Sequence, residues 1–305
     1  MGFKQRRPAW LLMALAVLAL WTMNASQPGA AVEGCLAGCA TATRLDDGSV
    51  RIMSLNVLHD FPRFAFLPQR LDLVATEIRR LDADIVLLQE VPWTWRVGPG
   101  AAYLGQASGL NHAYLRANGN RWAMLFEEGE AILSRFPLRD VRFIELRPRE
   151  APFQHRVAVS AVVDTALGPL RVVSTHLANQ NPTVNQEQAS TLAHFVAAQP
   201  GPTLIGGDFN ATAGSAAIRA LQLAWVDSFA AVWPADPGLT CCVDDLTAPP
   251  DEPLEERIDY LFLTPGPASA WRVRASQRLF TAPQFTPAGR IWASDHIGLW
   301  LVLER

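Results

Sequence analysis

The sequence predicts an α/β fold built on two packed sheets, and three observations carry that prediction. With 305 residues, 50% of them apolar, the chain can bury one large core, and a body of roughly 250 residues suits two sheets with helices around them. Apolar runs of strand length recur from Val50 to Leu303, and several end in polar, ligand-type residues. Between them lie segments whose apolar residues recur at helical spacing. No repeat or low-complexity segment interrupts the pattern.

The N-terminus stands apart. Lys4, Arg6 and Arg7 precede a 15-residue apolar stretch, Ala9 to Met23, broken only by Thr22. That length suits the core of an export signal better than the roughly 20 residues of a spanning helix. Residues 1–25 are therefore expected to be a signal peptide, with an uncleaved anchor as the alternative. Residues 26–48 would then be an exported linker and 49–305 the folded domain. The expected location is secreted, periplasmic or cell-envelope, or else membrane-anchored. Asn24-Ala25-Ser26 and Gly29-Ala30-Ala31 both offer small residues for cleavage. Leu36-Ala37-Gly38-Cys39 reads like a lipobox, so a lipid on Cys39 is a second route to membrane association. Removal of the first 25 residues takes three basic residues and no acids, moving the net charge from −3 to −6. A mildly acidic body disfavours broad steering toward a polyanion, while leaving room for a local basic cleft.

The four cysteines fall as Cys35 with Cys39 and Cys241 with Cys242. In an exported chain this favours disulfides, with three connectivities open. Zinc is the competing reading, but adjacent cysteines fit one tetrahedral ion poorly.

Along the chain, Val50, Ile52, Met53, Leu55 and Val57 form the first core strand, with Asn56 at its exit. An Asx-turn is the purely structural alternative for that asparagine. Leu71, Val74, Ala75, Ile78 and Leu81 make a helix face, with Pro68 at its start. Ile85 to Leu88 is a strand that delivers Gln89 and Glu90; a Glu after such a run is costly to bury unpaired. Residues 91–129 show a weak helix around Ala101 to Leu110 and the tryptophans Trp93, Trp95 and Trp122, read as packing rather than as base or lipid contacts. No apolar hairpin for membrane insertion is evident. Strands follow at Glu130 to Arg135, Leu138 to Leu146 and Arg156 to Val163. Leu170 to Ser174 leads to His176, and a helix runs from about Val184 to Ala198. Thr203 to Asn210 is an apolar run that stops at Gly206-Gly207, read as a strand end that turns sharply and leaves Asp208 and Asn210 on one side. A short helix lies between Ser215 and Leu223. From Trp233 to Glu256 a long loop carries Cys241-Cys242, which favour a stapled loop. Arg257 to Leu263 is a strand holding Asp259, a strand lies around Trp271 to Arg274, 283–290 is loop, and Ile297 to Leu303 closes the sheet.

Asn, Glu, His and Asp thus collect at strand ends, a mixture of hard oxygen ligands and imidazoles suited to Mg2+ and a phosphate. The pieces Met53-Ser54-Leu55-Asn56-Val57, Leu87-Leu88-Gln89-Glu90-Val91, Ala131-Ile132-Leu133-Ser134-Arg135, Ser174-Thr175-His176-Leu177, Gly207-Asp208-Phe209-Asn210, Arg257-Ile258-Asp259-Tyr260 and Ser294-Asp295-His296 resemble the endonuclease/exonuclease/phosphatase superfamily in wording and order. The resemblance implies a four-layer α/β sandwich, two packed, mostly antiparallel sheets flanked by helices. It also implies metal-dependent hydrolysis of a phosphate ester. Asp208 would be the general base, with Asn210 and His176 donating to the oxygens that gain charge. Asp259 would orient His296 against the phosphoryl group. Glu90 would be the principal Mg2+ ligand, with Asn56 and Asp295 beside it, and Mn2+ or Ca2+ are alternative ions. Arg156, His176 and Asn210 would face the phosphate. The family often has an arginine early in the helix after His176, where this chain has Asn185.

The substrate stays open at this level. Abasic-site repair nucleases usually carry a lysine shortly after the glutamate, which Val91-Pro92-Trp93 lacks. A secreted nuclease with nucleic acid as substrate, a sphingomyelinase-like phospholipase and a phosphatase remain, along with a non-catalytic surface-binding module on the same fold. A monomer is expected.

Overall fold

The computed structural model describes residues 9–25, 27–35, 48–251, 253–264 and 271–304. Ser26, the basic residues of the N-terminus and the Leu36-Ala37-Gly38-Cys39 segment lie outside the described residues.

Two sheets are packed face to face. The first contains β1 (Glu33–Gly34), β5 (Asn111–Asn120), β6 (Phe126–Ser134), β3 (Ile85–Thr94), β2 (Ser49–Asn56), β16 (Gly298–Glu304) and β13 (Arg272–Leu279) in that order, with β4 (Gly98–Pro99) paired to β3. The second runs β11 (Val226–Asp227), β12 (Asp259–Leu263), β10 (Thr203–Asp208), β9 (Gly168–His176), β8 (Gln154–Thr165) and β7 (Leu138–Ala151). Each sheet has one parallel pair, β2 with β3 and β9 with β10, among antiparallel neighbours. The carboxyl ends of these pairs fall at the same edge of the sandwich. The first sheet sets Asn56 beside Gln89, and the second sets Asp208 between His176 and Asp259.

The apolar pattern explains the layering. Alternate residues such as Ile52, Leu87, Ile132, Val159, Val172, Leu204 and Leu301 fill the space between the sheets, because successive strand side chains point to opposite faces. The outward residues of the first sheet pack on α2 (Leu67–Arg80) and α3 (Gly100–Ser108). Those of the second pack on α4 (Pro182–Ala197) and α5 (Ala216–Gln222). The result is the expected four-layer sandwich. Pro68 opens α2 where its missing N–H is harmless, and Asn181 caps α4 by accepting from Thr183 and Val184. The helix α6 (Ser228–Val232) was not foreseen, and the segment read as loop over 283–290 pairs as a hairpin, β14 (Gln284–Thr286) with β15 (Gly289–Ile291). The remaining helix, α1 (Ala9–Ala25), has 17 residues, and no helix among the described residues is long and apolar enough to cross a membrane.

Two local readings are corrected. Gly206 and Gly207 lie inside β10 rather than at a turn. A Cβ at Gly207 would sit 2.0 Å from the Thr175 carbonyl oxygen, and one at Gly206 2.6 Å from Leu87 across the sandwich. These glycines permit close approach of strand and sheet, and the turn falls at Asn210, with φ 48°. The loop around Cys241-Cys242 is not stapled to a distant element, since the two sulfurs face each other and a link between neighbours encloses no chain. Backbone bonds hold it instead: Val243 N–H donates to Asp295 O at 2.8 Å, Trp292 N–H to Leu246 O at 2.8 Å and Ile297 N–H to Thr240 O at 2.8 Å.

Candidate active site

The common edge brings residues from both sheets into one hydrogen-bonded set. The Asn56 amide NH2 reaches Glu90 Oε1 at 3.3 Å and Asp208 Oδ2 at 3.1 Å, and so ties the first sheet to the second. Its Oδ1 accepts from Leu58 N–H at 3.0 Å, so the Asx-turn also forms. Asn56 thus orients the two carboxylates through its NH2, and its Oδ1 keeps a second lone pair beside the bond from Leu58 N–H. Gln89 Nε2 donates to Ser174 Oγ at 3.0 Å and Ser174 donates to Leu88 O at 2.9 Å, which fixes the spacing of the sheets below the site.

Glu90 interrupts the ladder of β3, where the register shifts between Leu88 and Val91. Its φ of 54° is left-handed, a conformation that costs a non-glycine residue on the order of 1 kcal/mol. The bulge aims its carboxylate out of the ladder, with the side chain 18% exposed. Oε2 accepts from His59 N–H at 3.2 Å and lies 3.5 Å from His59 Nε2. Burial favours the protonated form, but His59, Arg156, His296 and the His59 N–H outweigh it and hold the carboxyl below its ordinary range.

Asp208 is buried at the centre. Its Oδ1 accepts from Asn210 N–H at 2.9 Å, while Oδ2 lies 3.3 Å from His176 Nε2 and 3.7 Å from His296 Nε2. Burial, opposed by His296 and reinforced by Asp259, pushes its carboxyl up to about 7. His296 Nδ1 and Asp259 Oδ2 are 2.9 Å apart. Burial disfavours the imidazolium, yet Asp259, Asp208 and Asp295 raise its pKa well above the ordinary value, so His296 holds its proton. Nδ1–H donates to Asp259 and Nε2–H is left facing the space before Asp208. His176 is the opposite case, lowered well below the ordinary value by burial and by Arg156, His296 and His59. Asn210 Nδ2 sits 2.9 Å from His176 Nε2 and 3.0 Å from Leu177 O.

Ser294 stitches the last segment in place by donating to Asn56 O at 2.6 Å and accepting from His296 N–H at 3.2 Å. Asp295 lies beside this junction, its carboxyl raised by burial and by Glu90, against the pull of His296. Arg156 makes no hydrogen bond among the described residues, but its charge acts on Glu90 and His176. Asn185 donates to Ala178 O at 2.6 Å and Phe209 O at 2.7 Å, so it shapes the backbone where a helix arginine would reach out.

Sequence reasoning passed over several residues here. Glu128 and Glu130 of β6 are buried, each with an oxygen lacking a hydrogen-bond partner among the described residues. Burial and repulsion from Glu90 raise Glu128, and burial with repulsion from Glu128 and Glu90 raises Glu130 well above the ordinary value. The run Glu127-Glu128-Gly129-Glu130 before Ala131 was the available signal. His59 follows the Asn56 strand directly. Arg70 is buried on α2 and donates to Val57 O at 2.7 Å, Leu58 O at 2.9 Å and Ala65 O at 2.9 Å, pinning the loop that carries His59; its guanidinium is lowered to about 10 by burial.

Which residues could hold a metal is decided by the donor sets. Asp208, Asp259 and His296 offer ligand atoms within 4.8 Å of one another. Of these, His296 Nδ1 is bonded to Asp259 at 2.9 Å, which leaves Nε2 and the Asp208 carboxylate facing the space between them. Glu90, held ionised near Asp295, Glu128 and Glu130 and bonded to no guanidinium among the described residues, also offers hard oxygens of the kind a divalent cation takes. Two clefts flank the centre. One of about 390 Å³ adjoins Asn210 and is lined by Asn179, Gln186, Thr212, Ser215 and Glu256. The other, about 310 Å³, adjoins Asp295 and is lined by Asp60, Asp244 and Asp245 with Arg63.

Solved structures with this architecture include an endonuclease/exonuclease/phosphatase from Bacteroides vulgatus, at 21% identity over 84% of this chain and 98% of that one, TM-score 0.64. D. rerio TDP2 complexed with single strand DNA product is 16% identical over 85% of this chain and 100% of that one, TM-score 0.67. A functionally unknown conserved protein from Enterococcus faecalis V583 is 22% identical over 84% and 100%, TM-score 0.62. At such identities the likeness is one of fold. No curated protein matches the chain. The family model described as the Endonuclease/Exonuclease/phosphatase family spans residues 53–296, from the strand bearing Asn56 to His296 itself, and this chain belongs to that family.

Proposed function

We propose that the chain is an exported, divalent-metal-dependent phosphohydrolase that cleaves a phosphodiester or phosphomonoester by direct attack of water. The observation that carries the reading is Asp208, a buried carboxylate raised to about 7 and facing a protonated His296 across 3.7 Å. A base poised near neutral pH can take a proton from water, and a carboxyl with an ordinary pKa does so less well. Asn56 and the Asn210 N–H hold that carboxylate in place. Water positioned before Asp208 gives up its proton to it, while His296 Nε2–H donates to a phosphoryl oxygen. Asp259 keeps the imidazolium charged and aligned. His176 and the Asn210 amide are bonded to each other beside Asp208, and each would exchange that bond for one to an oxygen that gains charge. Glu90, with Asp295 beside it, would hold Mg2+, which when bound polarises the phosphoryl oxygen and steadies the leaving oxygen.

Export rests on the basic start and on α1, whose 17 residues span about 26 Å at 1.5 Å per residue, short of a hydrocarbon core of about 30 Å. Intact mass of the natively produced protein reads cleavage directly, and retention of residues 1–23 rules it out. For the chemistry, plasmid DNA, RNA, sphingomyelin, inositol phosphates and bis-p-nitrophenyl phosphate are assayed with and without Mg2+. Chelator-sensitive hydrolysis of at least one is expected. Silence across all of them, with metal present, leaves a binding module in place of an enzyme.

A further inference from the structure

Large apolar side chains collect on the rim beside Glu90. The turn between β5 and β6 carries Trp122, Met124 and Leu125, with Trp122 87% and Leu125 53% exposed. Trp122, read from the sequence as a packing residue, is instead almost fully exposed. Leu125 holds a left-handed φ of 55°, a costly conformation for a leucine that buries nothing there. The next residue, Phe126, stacks on exposed Phe61 with ring centroids 4.5 Å apart and lies 5.1 Å from the His59 ring. Phe126 also pairs with Thr94 of β3, which places exposed Trp95 alongside. His59 in turn binds Glu90 through its backbone N–H. One apolar rim, from three segments, therefore adjoins the catalytic edge.

The chemistry of the rim selects its partner. Met124 and Leu125 have no π-face on which a base could stack. Of the arginines nearby, Arg121 is paired with Glu33 and Glu127, Arg116 with Glu127 and Arg63 with Asp60, which leaves Arg96 alone to meet an anion. Behind the rim stands Glu90, held in its ionised form. A polyanion finds little attraction on such a surface. Aliphatic tips with indoles beside them match the boundary between lipid acyl chains and headgroups. Arg96, exposed and 4.9 Å over the Trp95 ring, can extend to headgroup phosphate while its stem stays on apolar surface.

We propose that the β5–β6 turn, with Phe61 and Trp95, is an interfacial anchor that sets the catalytic edge against a zwitterionic lipid surface. The inference goes beyond the proposed hydrolysis and does not depend on it, because partitioning is measured without turnover. The test is co-sedimentation of the full-length chain with phosphatidylcholine vesicles, comparing wild type, a Trp122→Ser/Leu125→Ser double variant and Leu223→Ser. Leu223 is an exposed leucine at the end of α5 and serves as the control; α1 is common to all three proteins and cancels. The double variant should lose about tenfold or more in partition coefficient, with an unchanged thermal midpoint, while Leu223→Ser matches wild type. An unchanged partition in the double variant overturns the anchor, as does an equal loss in Leu223→Ser. Unchanged partition accompanied by weaker binding of a single-stranded oligonucleotide reassigns the turn to base stacking.

Discussion

Asp84 and Glu90 flank the same apolar run of β3, yet one is paired with a guanidinium and the other is bonded to none among the described residues. Asp84 is buried at the start of the strand, where Oδ2 accepts from Arg51 N–H at 2.9 Å and Oδ1 from Arg135 Nε at 3.0 Å. Arg135 also donates to Ala83 O at 3.2 Å, and Arg51 pairs with Asp82 at 3.1 Å. Glu90, at the other end, receives an amide, a backbone N–H and a nearby imidazole, and its further neighbours include Glu128, Glu130 and Asp295. A buried acid with its own guanidinium has no use for a mobile cation. An ionised acid without one, on a strained backbone bulge, attracts whatever cation the solvent supplies.

The sharpest way to break this comparison is to remove the proton acceptor. Asp208→Asn should lower kcat by about 10²- to 10⁴-fold with little change in thermal midpoint, and added Mg2+ should not restore it. Recovery at high Mg2+ would make Asp208 a ligand instead of the base. Next in size is the structural acid: Asp84→Asn should cost about 1–3 kcal/mol of stability, read by urea unfolding, because Arg135 keeps only Asp82 as its ionic partner. Its kcat per folded molecule should hold, and a selective loss of turnover would erase the distinction between the strand's two ends. Glu90→Gln inverts the pattern, with a fall in activity of about 10- to 100-fold, partly recovered with more Mg2+ or with Mn2+, and stability near wild type. No recovery at any metal concentration would remove Glu90 from the metal site.

The smallest effect is in the pH profile. Asp208 must be ionised to accept a proton, so kcat/KM should rise with pH and level off above about 7. It should fall again once His296 loses the proton that Asp259 and Asp208 hold on it. Asp259→Asn removes the largest of those attractions, so the falling limb should move to lower pH. A limb that stays put belongs to another group. Asp259→Asn and His296→Ala should also be strongly non-additive.

Much of this was legible locally. Strand ends carrying Asn56, Glu90, His176, Asp208 and His296 could be read because an apolar run that stops at a polar residue leaves a trace in a few adjacent letters. The α2 face of Leu71, Val74, Ala75 and Ile78 could be read for the same reason, since its period is a property of the backbone. Glu128 and Glu130 were harder, because acids before an apolar strand look the same whether they face water or the space between two sheets. Trp122 misled in the other direction, since a tryptophan usually packs and this one is exposed. The Gly206-Gly207 pair was legible as necessary but not as to why: a turn and a close approach both demand a missing side chain.

The sequence by itself determined the strands, the helix faces and which residue types stand at the strand ends, because those follow from neighbours within a turn or two of chain. Tertiary structure alone decided what each of them meets. Asn56 reaches Asp208 across 152 positions of sequence, and the same packing gives Arg135 to Asp84 and withholds a guanidinium from Glu90. Charge, burial and hydrogen bonding are properties of a point in space, and only the closed sandwich fixes which residues share one.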